Sequence, residues 1–333
     1  MKNNFCDYLV VGTGNIAKRH ISNLKKLFQN ATVGNISSTE KKIKNSEADI
    51  VYESLLEAKN KVKNFVIIAS PSSHHLIIAL PFMKKNIPLL IEKPISNKFK
   101  VNKSIEKYLL KNESIIDVGY NFRFNDCLNK FKEIIDKKKL IGNFYSVIAE
   151  VGQFLPDWRE NIDYKKSVTA NRNLGGGVLL ELSHELDYLS WIFGKFDNVY
   201  CKSSNSGLLE IDVEDNIDAI LSTKNNQTIN LHMDFLQRAM KRKCTVHGEK
   251  GTITLDLIKN NIIFNGPNNE VKTIYEKLDY DKNEMYLNMI LYFDEVRKKI
   301  KKPMIGVKNA FNTVNLIEQM KKSSLEKKVV NLD

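Results

Sequence analysis

Cysteine is scarce in this chain of 333 residues, and the four that occur, Cys6, Cys127, Cys201 and Cys244, stand far apart with no Cys-x-x-Cys pair. That pattern excludes a disulfide framework and a cysteine zinc site, and reads as free thiols in a reducing cytoplasm. Long hydrophobic runs are missing too. No stretch approaches the roughly 20 apolar residues that span a bilayer, and Asp7 and Gly12 interrupt the first apolar stretch, so a signal-peptide core is not formed. No internal repeat, no cluster of metal ligands and no low-complexity tract beyond the lysine-rich segment 298–302 is present. What these absences leave is a cytoplasmic globular protein without a membrane or metal requirement. The balance of 42% hydrophobic and 27% charged residues fits that class, and the length favours two domains.

Arginine is the other shortage: seven of the 51 basic residues. A formal net charge of +12 could serve nucleic acid, an acidic membrane surface or a phosphorylated substrate. The lysines, however, scatter among asparagine and isoleucine as solvated helix faces do, so no specific nucleic-acid partner is expected. Against that background an arginine points to work that needs a planar, bidentate guanidinium. Arg123, Arg159, Arg172 and Arg238 all fall in segments that matter below.

Apolar runs at 5–11, 31–36, 66–69, 89–91 and 115–119 alternate with helical spacing, as at Ile16, His20, Leu24 and Leu27. This alternation predicts an α/β fold with a doubly wound parallel sheet. After Arg123 the rhythm changes. A helix over 126–136 and a strand over 144–151 lead through a polar stretch to three glycines and a helix over 178–193. Successive strands over 198–264 predict a C-terminal α+β domain with an open, mostly antiparallel sheet. Two helices, 283–300 and 307–323, close the chain. The predicted boundaries are 1–122 and 123–333.

Between the first strand and the first helix lies Gly12-x-Gly14-x-x-Ala17. The first glycine permits the tight turn, the second admits a pyrophosphate, and the small third residue lets helix and strand pack closely. The strand and helix around it supply the context that a Rossmann dinucleotide site requires, with Asn15 and Ile16 opening the helix that faces the phosphates. About 20 residues on, where an acid would receive the adenine ribose of NAD, stand Ser37, Ser38 and Thr39, followed by Glu40, Lys41 and Lys42. Hydroxyls followed by lysines suit the 2′-phosphate of NADP, whereas Glu40 suits NAD if the strand is shifted. The cofactor is therefore NAD or NADP, with a slight lean to NADP.

Four further segments, taken with this loop, resemble the glucose–fructose oxidoreductase/inositol dehydrogenase (Gfo/Idh/MocA) family. They are Ala69-Ser70-Pro71-Ser72-Ser73-His74-His75, Glu92-Lys93-Pro94, Val118-Gly119-Tyr120-Asn121-Phe122-Arg123-Phe124, and the stretch from Gly175-Gly176-Gly177 to Glu181-Leu182-Ser183-His184-Glu185-Leu186-Asp187. The resemblance implies a dehydrogenase or reductase acting on a CH–OH group, with the C-terminal helices packed on the first domain. It implies Lys93 as the active-site lysine and His184 as general base on the reacting hydroxyl. It places Ser70, Pro71, His75, Glu92, Lys93 itself and Asn121 near the nicotinamide, and it implies homodimers or homotetramers built through the exposed sheet. The family spacing Asp-x-x-x-His is shortened here to Glu181-x-x-His184. Positions i and i+3 still share a helix face, so Glu181 is the expected acid, with Glu185 and Asp187 as alternatives. The three glycines are expected to let backbone approach ligand.

Arg123 opens the substrate domain, either as a substrate ligand or as a hinge ion pair. The segment Gln153 to Glu160 offers Trp158 as a face for a sugar ring and Arg159 as a fork for phosphate or carboxylate, with Tyr164, Arg172 and Asn173 further along. Leu155-Pro156-Asp157-Trp158-Arg159, with Leu236-Gln237-Arg238 later, resembles family members of bacterial surface-glycan pathways, which implies a sugar or nucleotide-sugar substrate. A protein of the same fold that senses NAD(P) without catalysis is the alternative.

Overall fold

Strands covered by helices on both faces read as near-continuous apolar runs, and the first unit follows that rule. The computed structural model describes residues 5–39, 46–158 and 163–332. Strands β1 (Cys6–Val11), β2 (Val33–Ile36), β3 (Ile50–Val51), β4 (Val62–Ile68), β5 (Leu89–Glu92) and β6 (Ile116–Gly119) form one parallel sheet in the order β3-β2-β1-β4-β5-β6. The order reverses between β1 and β4, the switch point at which doubly wound sheets bind ligands. Helices α1 (Asn15–Leu27), α2 (Leu55–Ala58), α3 (His75–Met83) and α4 (Lys103–Lys111) connect the strands. Strand β3 and helix α2 carry too few residues to show a period and were not expected. Helix α4 starts at Lys103 because the Asn102 side chain accepts the Ser104 N–H at 2.8 Å and sets the first turn there.

The second unit is built on helix α5 (Asp126–Lys137), strand β7 (Phe144–Gly152), helices α6 (Val178–Glu181) and α7 (His184–Phe193), and strands β8 (Phe196–Ser204), β9 (Asn216–Thr223), β10 (Thr228–Asp234), β11 (Lys241–Gly248), β12 (Gly251–Asp256), β13 (Asn261–Asn265) and β14 (Val271–Glu276). The sheet order is β14-β13-β12-β11-β7-β10-β9-β8, antiparallel except where β10 runs parallel to β7. Alternation is clean along the central strands. Val147, Ala149, Ile217, Leu231, Val246 and Ile253 are buried in a core with Leu128 and Phe131 of α5 and Leu186 and Leu189 of α7. Ile148 and Ile220, on the other face, are exposed.

The single helix expected over 178–193 is two. Leu182 (φ −97°, ψ 22°) ends α6, and the helix restarts at His184. Glu181 therefore closes one helix and His184 opens the next, so the face-sharing argument for an i, i+3 pair within one helix does not apply.

Helix α8 (Glu284–Arg297) belongs to the first unit, where Phe293 meets Phe65 edge-on at 5.2 Å and Asn283 exchanges amide hydrogen bonds with Asn23 of α1. Helix α9 (Val307–Glu326) is followed by β15 (Val330–Asn331), which adds antiparallel to β8. In the second unit the buried Ser323 hydroxyl accepts the Cys201 N–H at 2.9 Å. The compact units comprise residues 1–121 with 282–314, and 122–281 with 315–333. All four cysteines are buried free thiols, and burial pushes Cys127 and Cys201 up to about 12.

Candidate active site

In the first unit the glycine loop is shaped by its surroundings. Gly12 has φ +137°, and a Cβ there would fall 2.2 Å from the Ala69 carbonyl oxygen, so no side chain is tolerated. Ala17 packs beneath it. A Cβ on Gly14, by contrast, would meet no atom within 4 Å. Helix α1 starts there with no side-chain cap and no acidic residue in its first turn, which leaves backbone N–H groups and the positive helix end available to an anion. Asn15 is exposed and Ile16 half-buried beside this opening. The residues fit a dinucleotide pyrophosphate. The loop is braced from β2, where the buried Asn35 amide donates to the Val10 and Gly12 carbonyls at 2.8 and 2.9 Å. Ser37, buried, follows β2, with Ser38 and Thr39 beyond it. Glu40, Lys41 and Lys42 lie outside the described residues.

At the ends of β4 and β5 the side chains hold one another. His75 is buried with Nδ1 2.9 Å from the Pro94 carbonyl and Nε2 2.8 Å from the Ser70 carbonyl. Burial pushes its pKa below the usual histidine range, against the pull of both carbonyls. His75 thus ties the Ser70-Pro71 turn to the Glu92-Lys93-Pro94 turn, where the Lys93–Pro94 peptide is cis. Lys93 is half-buried at the C-terminal end of β5. Glu92 is buried, and its Oε1 lies 2.7 Å from Nε2 of a fully buried His20. Among the described residues the other ring nitrogen of His20 has no hydrogen-bond partner. A ring N–H donated from Nε2 satisfies the Glu92 carboxylate. Gly119 leaves room for the Glu92 carboxyl, which a Cβ would approach to 3.2 Å. Asn121 is buried at the end of this unit.

In the second unit a cavity of about 200 Å³ is lined by Gln153, Trp158, Glu181, His184, Lys241 and Arg242, among others. The three acids near His184 separate cleanly. Asp187 is locked to Arg123 by two hydrogen bonds, from Nε at 2.7 Å and Nη2 at 2.9 Å. Burial pushes the Asp187 carboxyl up, while Arg123 pulls it down. Glu185, fully buried, is locked to Arg242 at 2.8 and 3.2 Å. Glu181 is the acid that shares the cavity lining with His184. The imidazole of His184 stacks on Phe122, with centroids 4.6 Å apart and planes 26° apart. The Arg242 guanidinium lies 4.7 Å from the centroid of that same phenyl ring. Trp158 is oriented by its N–H, which donates to the Gln153 carbonyl at 3.1 Å, and by an edge contact with Phe235.

Other candidates from the sequence stand elsewhere. Arg123 is buried and also sits 4.4 Å over Trp191, so its fork is committed to Asp187. The Tyr164 hydroxyl donates to the Leu209 carbonyl at 3.1 Å, and Arg172 donates to the Asp212 carbonyl from an exposed turn that also carries Asn173. None of these three lines the cavity. Arg159 lies outside the described residues. Two of the three glycines are required by the chain itself: a Cβ on Gly177 (φ +103°) would fall 2.5 Å from the Glu214 carboxyl, and one on Gly176 would fall 2.4 Å from the Thr169 carbonyl oxygen. They let the chain pack on itself at the start of α6.

Sequence reasoning missed His20, Lys241 and Arg242. Arg242 carried a usable signal, being one of only seven arginines, but its strand lies some 58 residues from His184 in sequence.

Residues 6–120 match the family model for the oxidoreductase family with an NAD-binding Rossmann fold, and residues 128–254 match the Gfo/Idh/MocA C-terminal domain. Among curated sequences, Oxidoreductase P35 of Formosa agariphila is 26% identical over 212 residues, a match covering 61% of this chain and 63% of that protein. An uncharacterized oxidoreductase of Synechocystis sp. is 24% identical over 270 residues, covering 74% of this chain and 70% of that one. Among solved structures, levoglucosan dehydrogenase in complex with NADH superposes with a TM-score of 0.82 at 15% identity, with 98% of each chain covered. The aldose–aldose oxidoreductase of Caulobacter crescentus complexed with glycerol gives 0.81 at 18% identity, covering 98% of this chain and all of that one. At such identities the structural likeness speaks for the fold alone, and the two family matches, which together span most of the chain, speak for descent. The chain belongs to the Gfo/Idh/MocA family of NAD-binding oxidoreductases.

Proposed function

We propose that this protein interconverts a carbinol and a carbonyl of a sugar derivative, with NAD or NADP as the partner. The observation that carries the reading is the cavity of the second unit, where His184, Glu181 and the face-bearing Trp158 come together. The likeness of the Leu155–Trp158 turn to surface-glycan enzymes extends the reading to that branch of sugar metabolism.

When bound, the nicotinamide supplies the acceptor or donor of the hydride. Gly12, Gly14 and the start of α1 hold the pyrophosphate; Ser70, Pro71, Asn121 and the Glu92 carboxyl bound the nicotinamide end. His184 takes the hydroxyl proton, a task for which an imidazole near neutral pKa is suited. Its stacking on Phe122 fixes the ring plane. Glu181, beside it on the cavity wall, compensates the charge that His184 gains. Lys93 steadies the substrate oxygen as negative charge develops there. The lean to NADP gains nothing from the solved relatives, which are described with NADH or NAD+.

The test is a screen of sugars with each cofactor, followed by Lys93→Met. The substitution is expected to abolish turnover and to leave the NADH dissociation constant within about threefold. Unchanged turnover in Lys93→Met would remove the lysine from the mechanism. NADH binding without turnover of any sugar would favour a cofactor-sensing protein instead.

A further inference from the structure

Two cations line the cavity of the second unit, and each comes with its own carboxylate. Lys241 lies 3.2 Å from Glu150, and Arg242 is gripped through Nε and Nη2 by Glu185, a carboxylate with no exposed surface. A guanidinium carries five N–H donors. Two go to Glu185, and among the described residues the remaining three have no acceptor. The fork is thus held rigid, discharged by its partner, and left with donors on the wall of a cavity that also holds His184.

We propose that Arg242, fixed by Glu185, is a substrate-binding residue that selects an uncharged sugar by donating to its hydroxyl or ring oxygens. This rests on the reading of the cavity as a sugar site. A carboxylate or phosphate on the substrate would need surplus positive charge. Among the described residues at the cavity wall, Glu150 and Glu185 match Lys241 and Arg242. Neutral oxygens, in contrast, are well served by fixed N–H groups whose charge is already compensated. The cavity, at about 200 Å³, is smaller than the roughly 300–1,000 Å³ of pockets for drug-sized ligands. That volume suits a single sugar ring. Phe122 links the two functions, since His184 stacks on the ring that Arg242 overlies.

Removing Arg242 alone would strand a buried carboxylate and threaten the fold, so two variants are used. Arg242→Lys keeps the charge and loses the fork. The double variant Arg242→Gln with Glu185→Gln removes both charges and keeps an amide pair. Calorimetric titration of NADH-loaded protein with neutral aldohexoses and their 6-carboxylates is expected to show binding of a neutral sugar. That affinity should fall about tenfold or more in both variants, while NADH affinity stays unchanged. Equal sugar affinity in wild type and variants overturns the proposal, as does preference for a 6-carboxylate or failure of wild type to bind any neutral sugar. Arg242-dependent sugar binding without turnover would sink the oxidoreductase assignment and leave this inference standing.

Discussion

Replacing Arg123 by methionine is the perturbation whose size follows most directly from the structure. Arg123 and Asp187 have side chains only 8% and 3% exposed, joined through two parallel hydrogen bonds, with the guanidinium also 4.4 Å from the Trp191 ring. Breaking a buried pair from one side costs about 3–5 kcal/mol, because the remaining charge stays desolvated. For a unit of this size that is a fall on the order of 10 °C in melting temperature. The loss must also depend on pH. Burial already pushes the Asp187 carboxyl up, and Arg123 opposes it; without Arg123 the carboxyl rises further. A carboxyl raised in the folded state binds a proton that the unfolded chain has released, so stability falls as pH rises from the unfolded value near 4 to the folded value. Arg123→Met should therefore lose clearly less at pH 5 than at pH 8. Urea unfolding followed by tryptophan fluorescence measures both. A loss below about 1 kcal/mol at pH 8, or the same loss at both pH values, would refute the buried-pair account and reopen a substrate role for Arg123.

Two further outcomes are expected. His20→Leu strands the Glu92 carboxylate in a buried site, and should cost about 2–3 kcal/mol and raise the NADH dissociation constant severalfold. Adding Glu92→Gln should restore most of the stability but not the binding, and a single variant as stable as wild type would contradict the pairing. On the sheet surface, His232 sits between Asp234 at 3.0 Å and Asp218 at 2.7 Å, and hydrogen bonding to Asp234 first, with Asp218 adding to it, raises it to about 9. A raised histidine contributes stability that is complete below its unfolded pKa of about 6.5 and lost as pH rises through about 9. With the side chain about a third exposed, that contribution is on the order of 1 kcal/mol after screening. Wild type should lose more stability than His232→Gln between pH 7 and 10, and parallel curves would argue against it.

The first unit was legible because its signals are local. A buried parallel strand must be apolar throughout, a phosphate turn must have glycine where a Cβ would strike Ala69, and both constraints fall within a few neighbouring residues. The family's short segments carried Lys93 and His184 for the same reason. The second unit hid more. Whether Glu181, Glu185 or Asp187 faces the cavity depends on which arginine each one meets, and those arginines arrive from Phe122's neighbour and from β11, 64 and 57 residues away. The break at Leu182 was equally hidden, since Val178 to Phe193 is apolar enough to read as one helix. The amino-acid sequence alone determined the sheet order's origin in alternating β and α, the glycine turn and the residue types available for chemistry. Only the tertiary structure decided which acids are spent in ion pairs, which one lines the cavity, and that Arg242 stands beside it, because ion pairing and desolvation act between groups that the chain brings together only by folding.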